Sequence, residues 1–206
     1  MKKLVMVAVL ATAFVSNVQA QEKVPFLDKV TLEASYGYNQ AFSPDNVDRT
    51  DVSGLKTIQV GANYQINDFW GVRGTYSNTQ FEHKDFDNQG VTYNKITAEA
   101  TFTVLKAILK TTNENASKFD VVAHAGFGLN FGKSKATDAS DTMGNFQIGL
   151  KPEYKVSDRV GIFVDGTYVM NFSQNIGYNG FQISGDETTT GGYATGLIGV
   201  SIKLGK

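Results

Sequence analysis

His124 and Asp120 come closest in this chain to acid–base chemistry. They share one parity of an alternating segment, and a serine would complete a Ser-His-Asp hydrolase. Such an enzyme needs its base open to substrate. The alternation around His124 turns that side chain to an enclosed polar face, so the expectation is a histidine satisfied by its neighbours, without catalysis. The second histidine, His83, stands beside Glu82 and Asp85 in a polar stretch, which suits a solvated cluster better than a metal site. Asp85-Phe86-Asp87-Asn88-Gln89-Gly90 has the start of a calcium loop, but position twelve is Ile96, where a glutamate is required. No glycine-rich piece carries the lysine of a phosphate loop. No catalytic residue, cofactor or metal is therefore expected. What remains is a set of charged residues, and their meaning depends on the segments that carry them.

The segment 119–131 defines those elements. Phe119, Val121, Ala123, Ala125, Phe127, Leu129 and Phe131 alternate with Asp120, Val122, His124, Gly126, Gly128 and Asn130. A period of two is a strand, since successive side chains point to opposite faces. One face here is wholly apolar and the other is small or polar. A buried parallel strand would be apolar on both faces, and a helix would repeat every 3.6 residues. Ordinary strands run about 5–6 residues, whereas a tilted strand crossing a bilayer needs about 9–11. The expectation is a membrane-spanning strand with its odd-numbered residues in lipid.

Seven more segments share the pattern. Val30 to Tyr38 opens the series, and Ile58 to Ile66 is joined by the turn signal Asn67-Asp68 to Trp70 to Tyr76. Ile96 to Val104 precedes the segment 119–131. Phe146 to Val156 is joined by Ser157-Asp158 to Val160 to Phe172, and Ala194 to Leu204 closes the chain. Long polar connections fall at 40–54, 78–94, 132–145 and 173–192, alternating with shorter ones. The stretch 105–118 is open between a strand extension and a short helical turn. The predicted fold is an all-β, eight-stranded antiparallel up-and-down transmembrane β-barrel, with short turns on the periplasmic side and long loops outside.

Composition supports export. Among 206 residues, 21 glycines and 3 prolines favour sheet and turns. Lys2 and Lys3 precede the apolar run from Leu4 to Val15, and Val18-Gln19-Ala20 suits signal peptidase, so 1–20 reads as a secretory signal peptide. Residues 21–28 read as a periplasmic leader and 29–206 as the barrel domain. Removing 1–20 takes away two lysines and no acid, leaving 17 basic and 20 acidic residues with no basic stripe, so nucleic acid is not an expected partner. Cysteine is absent, which excludes disulfides and a lipid-anchored cysteine. No later run approaches the roughly 18 apolar residues of a spanning helix.

The charges respect the faces. Glu33, Arg73, Lys95, Glu99, Asp120, Lys151, Glu153, Lys155, Asp165 and Lys203 all take the polar parity, while Lys56 and Lys106 take the apolar parity only at strand ends, where lysine can snorkel. A cation on the lipid face at midplane costs about 2–4 kcal/mol, which accounts for this exclusion. Aromatics at both strand ends match interfacial girdles; a soluble barrel would carry its apolar face inside. Eight strands leave a lumen that side chains can fill. Glu33, Arg73, Glu99, Lys151 and Asp165 are expected near mid-height, with His124 beside them, as an ionic and hydrogen-bonded plug. An open channel is the alternative. Pro152 removes a donor from a ladder that should have no edge, and a bulge near the short-turn end is expected there.

The pattern, and the ending Gly199-Val200-Ser201-Ile202-Lys203-Leu204-Gly205 in particular, resembles the small outer-membrane barrels related to outer-membrane protein A and outer-membrane protein X. The final Lys206 departs from the aromatic with which many of them end. The absence of a following peptidoglycan-binding domain leaves wall tethering unexpected. The resemblance implies residence in the outer membrane of a Gram-negative type envelope, contact with outer-membrane lipid, and a monomer. A structural or interaction role is expected, with the four loops, and aromatics such as Phe86, Tyr178 and Phe181, as candidates for binding a surface or host ligand. A narrow porin-like pore is one alternative. The other is a lipid-modifying enzyme, because some barrels of this kind act on lipid A.

Overall fold

The computed structural model describes residues 26–43, 51–109, 118–183 and 189–205. The proposed signal peptide, most of the leader, Pro44, Asp45 and Asp48 of the first loop, the polar run 111–117 and Lys206 lie outside these residues. Strands β1 (Val30–Ser43), β2 (Gly54–Gln65), β3 (Trp70–Glu82), β4 (Gly90–Thr103), β5 (Phe119–Ser134), β6 (Ser140–Lys155), β7 (Val160–Gln174) and β8 (Thr189–Lys203) follow one another. Each pairs antiparallel with the next, and β1 pairs with β8 to close the barrel. Closure leaves no edge strand, which lipid requires because nothing there can satisfy a free backbone donor.

The connections at one end are tight. Asn67 Oδ1 accepts the amides of Phe69 and Trp70 at 3.0 and 2.9 Å, and Ser157 Oγ accepts that of Val160 at 3.1 Å, so each turn is held by its own polar residue. Within 105–118 the described part begins as the short helix α1 (Val104–Leu109), which resolves the ambiguity in favour of a helical turn.

Parity decides which face is which. Val72, Ile96, Phe127, Leu150, Val164 and Ile198 are exposed on the outside, whereas Arg73, Lys95, Glu99 and Asp165 are buried within. Aromatic pairs mark both borders of the apolar belt. Trp70 and Phe102 lie 4.8 Å apart at the short-turn end, and Phe42 and Tyr168 lie 6.1 Å apart toward the other.

Two expectations are corrected. The strands run past the belt, so the polar connections narrow to 44–53, 83–89, 135–139 and 175–188. The cause is an inversion of polarity along the same ladder. Above the membrane Asn78, Gln80, Thr92 and Asn94 face outward into water, while Phe81, Val91, Tyr93, Met143 and Tyr193 face inward and are buried. A search for outward apolar residues therefore stops at the lipid surface, where the hydrogen bonding does not. Pro152 is the second correction, because no bulge forms there. It pairs with Val121 of β5, and the β6–β7 register is the same at Leu150 and at Glu153, with the two residues between them left out of the pairing. A missing N–H interrupts one side of the ladder without displacing the strand.

Candidate functional site: a filled lumen

Every inward position of the lower lumen comes from the polar parity of a strand. Arg73 on β3 stands opposite Glu99 on β4 as a cross-strand partner, and its guanidinium extends across the barrel. Nε donates to Glu33 of β1 at 2.8 Å, Nη2 to Asp165 of β7 at 3.0 Å, and Nη1 lies 3.7 Å from Glu99. His124 on β5 faces Glu99 through Nδ1 at 2.5 Å and Asp165 through Nε2 at 3.2 Å. Lys151 on β6 binds Glu33 and lies 3.2 Å from Glu153. The hydroxyls of Thr75 and Thr167 donate to Glu99 and Asp165 at 3.2 and 2.7 Å. Glu33, Arg73, Glu99, His124, Lys151 and Asp165 thus touch as one set drawn from six strands.

Glycine makes room for this set. A Cβ at Gly149 would stand 2.5 Å from His124 Nε2, and one at Gly161 would stand 2.4 Å from Glu153. A polar vestibule of about 310 Å³ leads up to the set from the short-turn end. Asp28, Lys106, Lys155 and Lys203 are at its rim, with Arg73, His124 and Lys151 at its inner wall. Asp120 lines this vestibule and does not contact His124, whose two nitrogens are taken by Glu99 and Asp165. No hydroxyl nucleophile is joined to the imidazole among the described residues.

Above the ionic set the lumen is closed by apolar packing. Phe81, Tyr93 and Tyr193 pack with Met143 and Val169, and the β7–β8 connection folds inward to add Ile176 and Tyr178. Tyr178 is 0% exposed, which corrects its expectation as a surface aromatic; Phe86 and Phe181 do stand exposed. Asp141 holds the inward segment by accepting the amides of Asn175 and Ile176 at 2.7 and 3.2 Å. Asn179 accepts the amide of Gly90 at 2.9 Å and Gly180 accepts Ser134 Oγ at 2.6 Å. Gly180 has φ +88, and a Cβ there would meet the Gly90 carbonyl at 2.4 Å, so both backbone and space require glycine. Sequence reasoning missed this cap. Its signal was the run of large apolar residues at polar parity, from Phe81 through Tyr93 to Tyr193.

His83 lies outside the lumen. Its ring is 4.9 Å from that of Phe86, and its Nδ1 accepts the amide of Asp85 at 3.1 Å.

A closed barrel with an apolar exterior and an ionic interior defines a transmembrane β-barrel. The family model described as outer membrane protein beta-barrel domain matches residues 6–190, and the chain belongs to that family and resides in the outer membrane. Among solved structures, the chain is similar to Neisserial surface protein A, with 15% identity over 85% of this chain and 97% of that one and a TM-score of 0.60. It also matches the N-terminal β-barrel domain of Pseudomonas aeruginosa OprF, at 14% identity over 84% and 96% with a TM-score of 0.45. A third match is Ail, the attachment invasion locus protein of Yersinia pestis, at 14% identity over 84% and 98% with a TM-score of 0.43. No curated protein matches the chain.

Proposed function

We propose that the protein is a structural and interaction barrel, monomeric in the membrane, whose lumen is sealed and whose outer rim is the functional surface. The observation that carries this is the filling of the lumen in two layers of different chemistry, ionic below and apolar above. An ion entering by the vestibule meets Arg73 bonded to both Glu33 and Asp165, and beyond them the rings of Phe81, Tyr93 and Tyr178. Water-filled passage requires both layers to part. No enzymatic step is assigned, since His124 is committed to two carboxylates. The lumen set of Glu33, Arg73, Glu99, Lys151, Asp165 and His124 has a structural role.

The rim offers exposed Phe86 and Phe181 beside the ion cluster that Glu82 makes with Lys56 and Lys135. Aromatic and charged groups raised on a rigid scaffold suit a surface or host ligand. Residues 1–20 are assigned as a cleaved signal, 21–28 as a periplasmic leader and 29–206 as the barrel domain, which amino-terminal sequencing of the membrane form checks. The decisive experiment is recording from planar bilayers. The sealed barrel gives no steady conductance, and a well-defined unitary current overturns the proposal in favour of a narrow pore. Adhesion of cells carrying the wild type, compared with a Phe86→Ser/Phe181→Ser variant, tests the rim separately; unchanged adhesion removes these aromatics from it.

A further inference from the structure

Among the described residues, Lys95 is the buried cation that the ionic set does not use. It is 3% exposed, it bonds the neutral amide oxygen of Gln147, and its ammonium lies 5.9 Å from the centroid of the Tyr193 ring. It forms no ion pair among the described residues. The carboxylates of the set below it, Glu99 and Asp165, are each already held by Arg73 and His124. An ammonium taken out of water with no counter-charge in contact is costly.

Its surroundings contain polar atoms in search of partners. Ser77 and Asn130 are the cross-strand neighbours of Lys95, and the next rung toward the periplasm is Thr97–Gly128–Asn145. Gln147, to which Lys95 bonds, stands one rung further down. Ser77 Oγ, Thr97 Oγ1 and both amide atoms of Asn145 are buried without a hydrogen-bond partner, as are Asn130 Oδ1 and Asn39 Oδ1. Buried groups of this kind are matched by ordered water or an ion. Three of them, on Ser77, Thr97 and Asn145, can donate. Together with the ammonium they form a donor set suited to one small anion, and the acceptors of Asn130 and Asn39 suit accompanying water.

We propose that the upper lumen holds a small monovalent inorganic anion, of the chloride class, against Lys95, Ser77, Thr97 and Asn145. The aromatic cap above and the ionic set below isolate it from both bulk phases. The anion is thereby a structural counter-ion, and the site is independent of what the rim binds.

Crystals of the full mature protein grown in bromide test this by anomalous diffraction. The expected result is a bromide peak in contact with Lys95 Nζ and at least one of the three donors, lost in Lys95→Met, which keeps the stem. Water alone at those atoms, or a peak that persists in Lys95→Met, overturns the proposal. Should Lys95→Met not assemble, the wild-type peak and a second variant, Asn145→Leu, still decide it. Thermal unfolding followed by gel mobility gives an independent readout. The wild-type midpoint is higher in chloride than in gluconate at equal ionic strength, and the difference is lost in Lys95→Met. Equal wild-type midpoints in the two salts count against a bound anion.

Discussion

Arg73 is the residue on which three carboxylates converge, and its removal leaves Glu33, Glu99 and Asp165 without their shared cation. Breaking a buried pair by deleting one partner costs about 3–5 kcal/mol, because the remaining charge stays desolvated. Arg73→Met is expected to lower barrel stability on that scale, measured by urea unfolding in lipid vesicles. An unchanged midpoint would mean that water already solvates the set. Two glycines differ sharply in the space around them. A Cβ on inward Gly126 would stand 2.0 Å from the Ala98 carbonyl, whereas one on outward Gly74 meets nothing within 4 Å. Gly126→Ala should destabilise strongly and Gly74→Ala should stay within about 0.5 kcal/mol, as substitutions away from such contacts do. The six lumen residues were legible from parity, which reports the face of each side chain. Their partners were not, since Arg73 reaches Asp165 across the barrel from a strand remote in sequence.

Each strand must satisfy two solvents along its length. Ile148 lies in the apolar belt of β6 between Tyr154 and Thr142, 53% exposed to what is lipid in the membrane. Ile148→Arg is expected to cost about 2–4 kcal/mol, read from the urea midpoint, while a loss near zero would place that face in water. The β7–β8 connection behaves as an element of its own. Burial, with neighbouring phenolic groups, pushes the Tyr178 hydroxyl well above its ordinary value. The packed cap therefore keeps this proton after an open cap would release it. Cap stability is full below pH about 10 and falls as pH rises beyond it. In an alkaline titration, the phenolate absorbance missing from Tyr178→Phe should appear together with protease sensitivity of the loop. A phenolate formed near pH 10 with the loop still protected would show that the ring is not sealed. Strand existence and order were readable from the period of two, but strand length was not. The same ladder carries apolar residues outward in lipid and inward above it.

For the whole molecule, the two layers of the lumen make a joint prediction. Widening the cap alone, with Tyr178→Ala and Phe81→Ala, should leave bilayer conductance absent, because the ionic set still blocks the vestibule. Combining that change with Arg73→Ala should produce a current, provided gel mobility shows that the barrel still closes. A current from the cap variant by itself would assign the entire seal to the aromatics.

By itself the sequence determined that this chain crosses a membrane as a barrel. Alternation and the exclusion of charge from one face are imposed residue by residue by the two solvents, so they are written locally. Only the tertiary structure decided which of the lumen residues bond to one another and how the barrel is stoppered. Closure brings residues from β1 and β7 within hydrogen-bond distance of Arg73 and folds Tyr178 back among rings from other strands. Those contacts depend on register and curvature, which no single segment encodes.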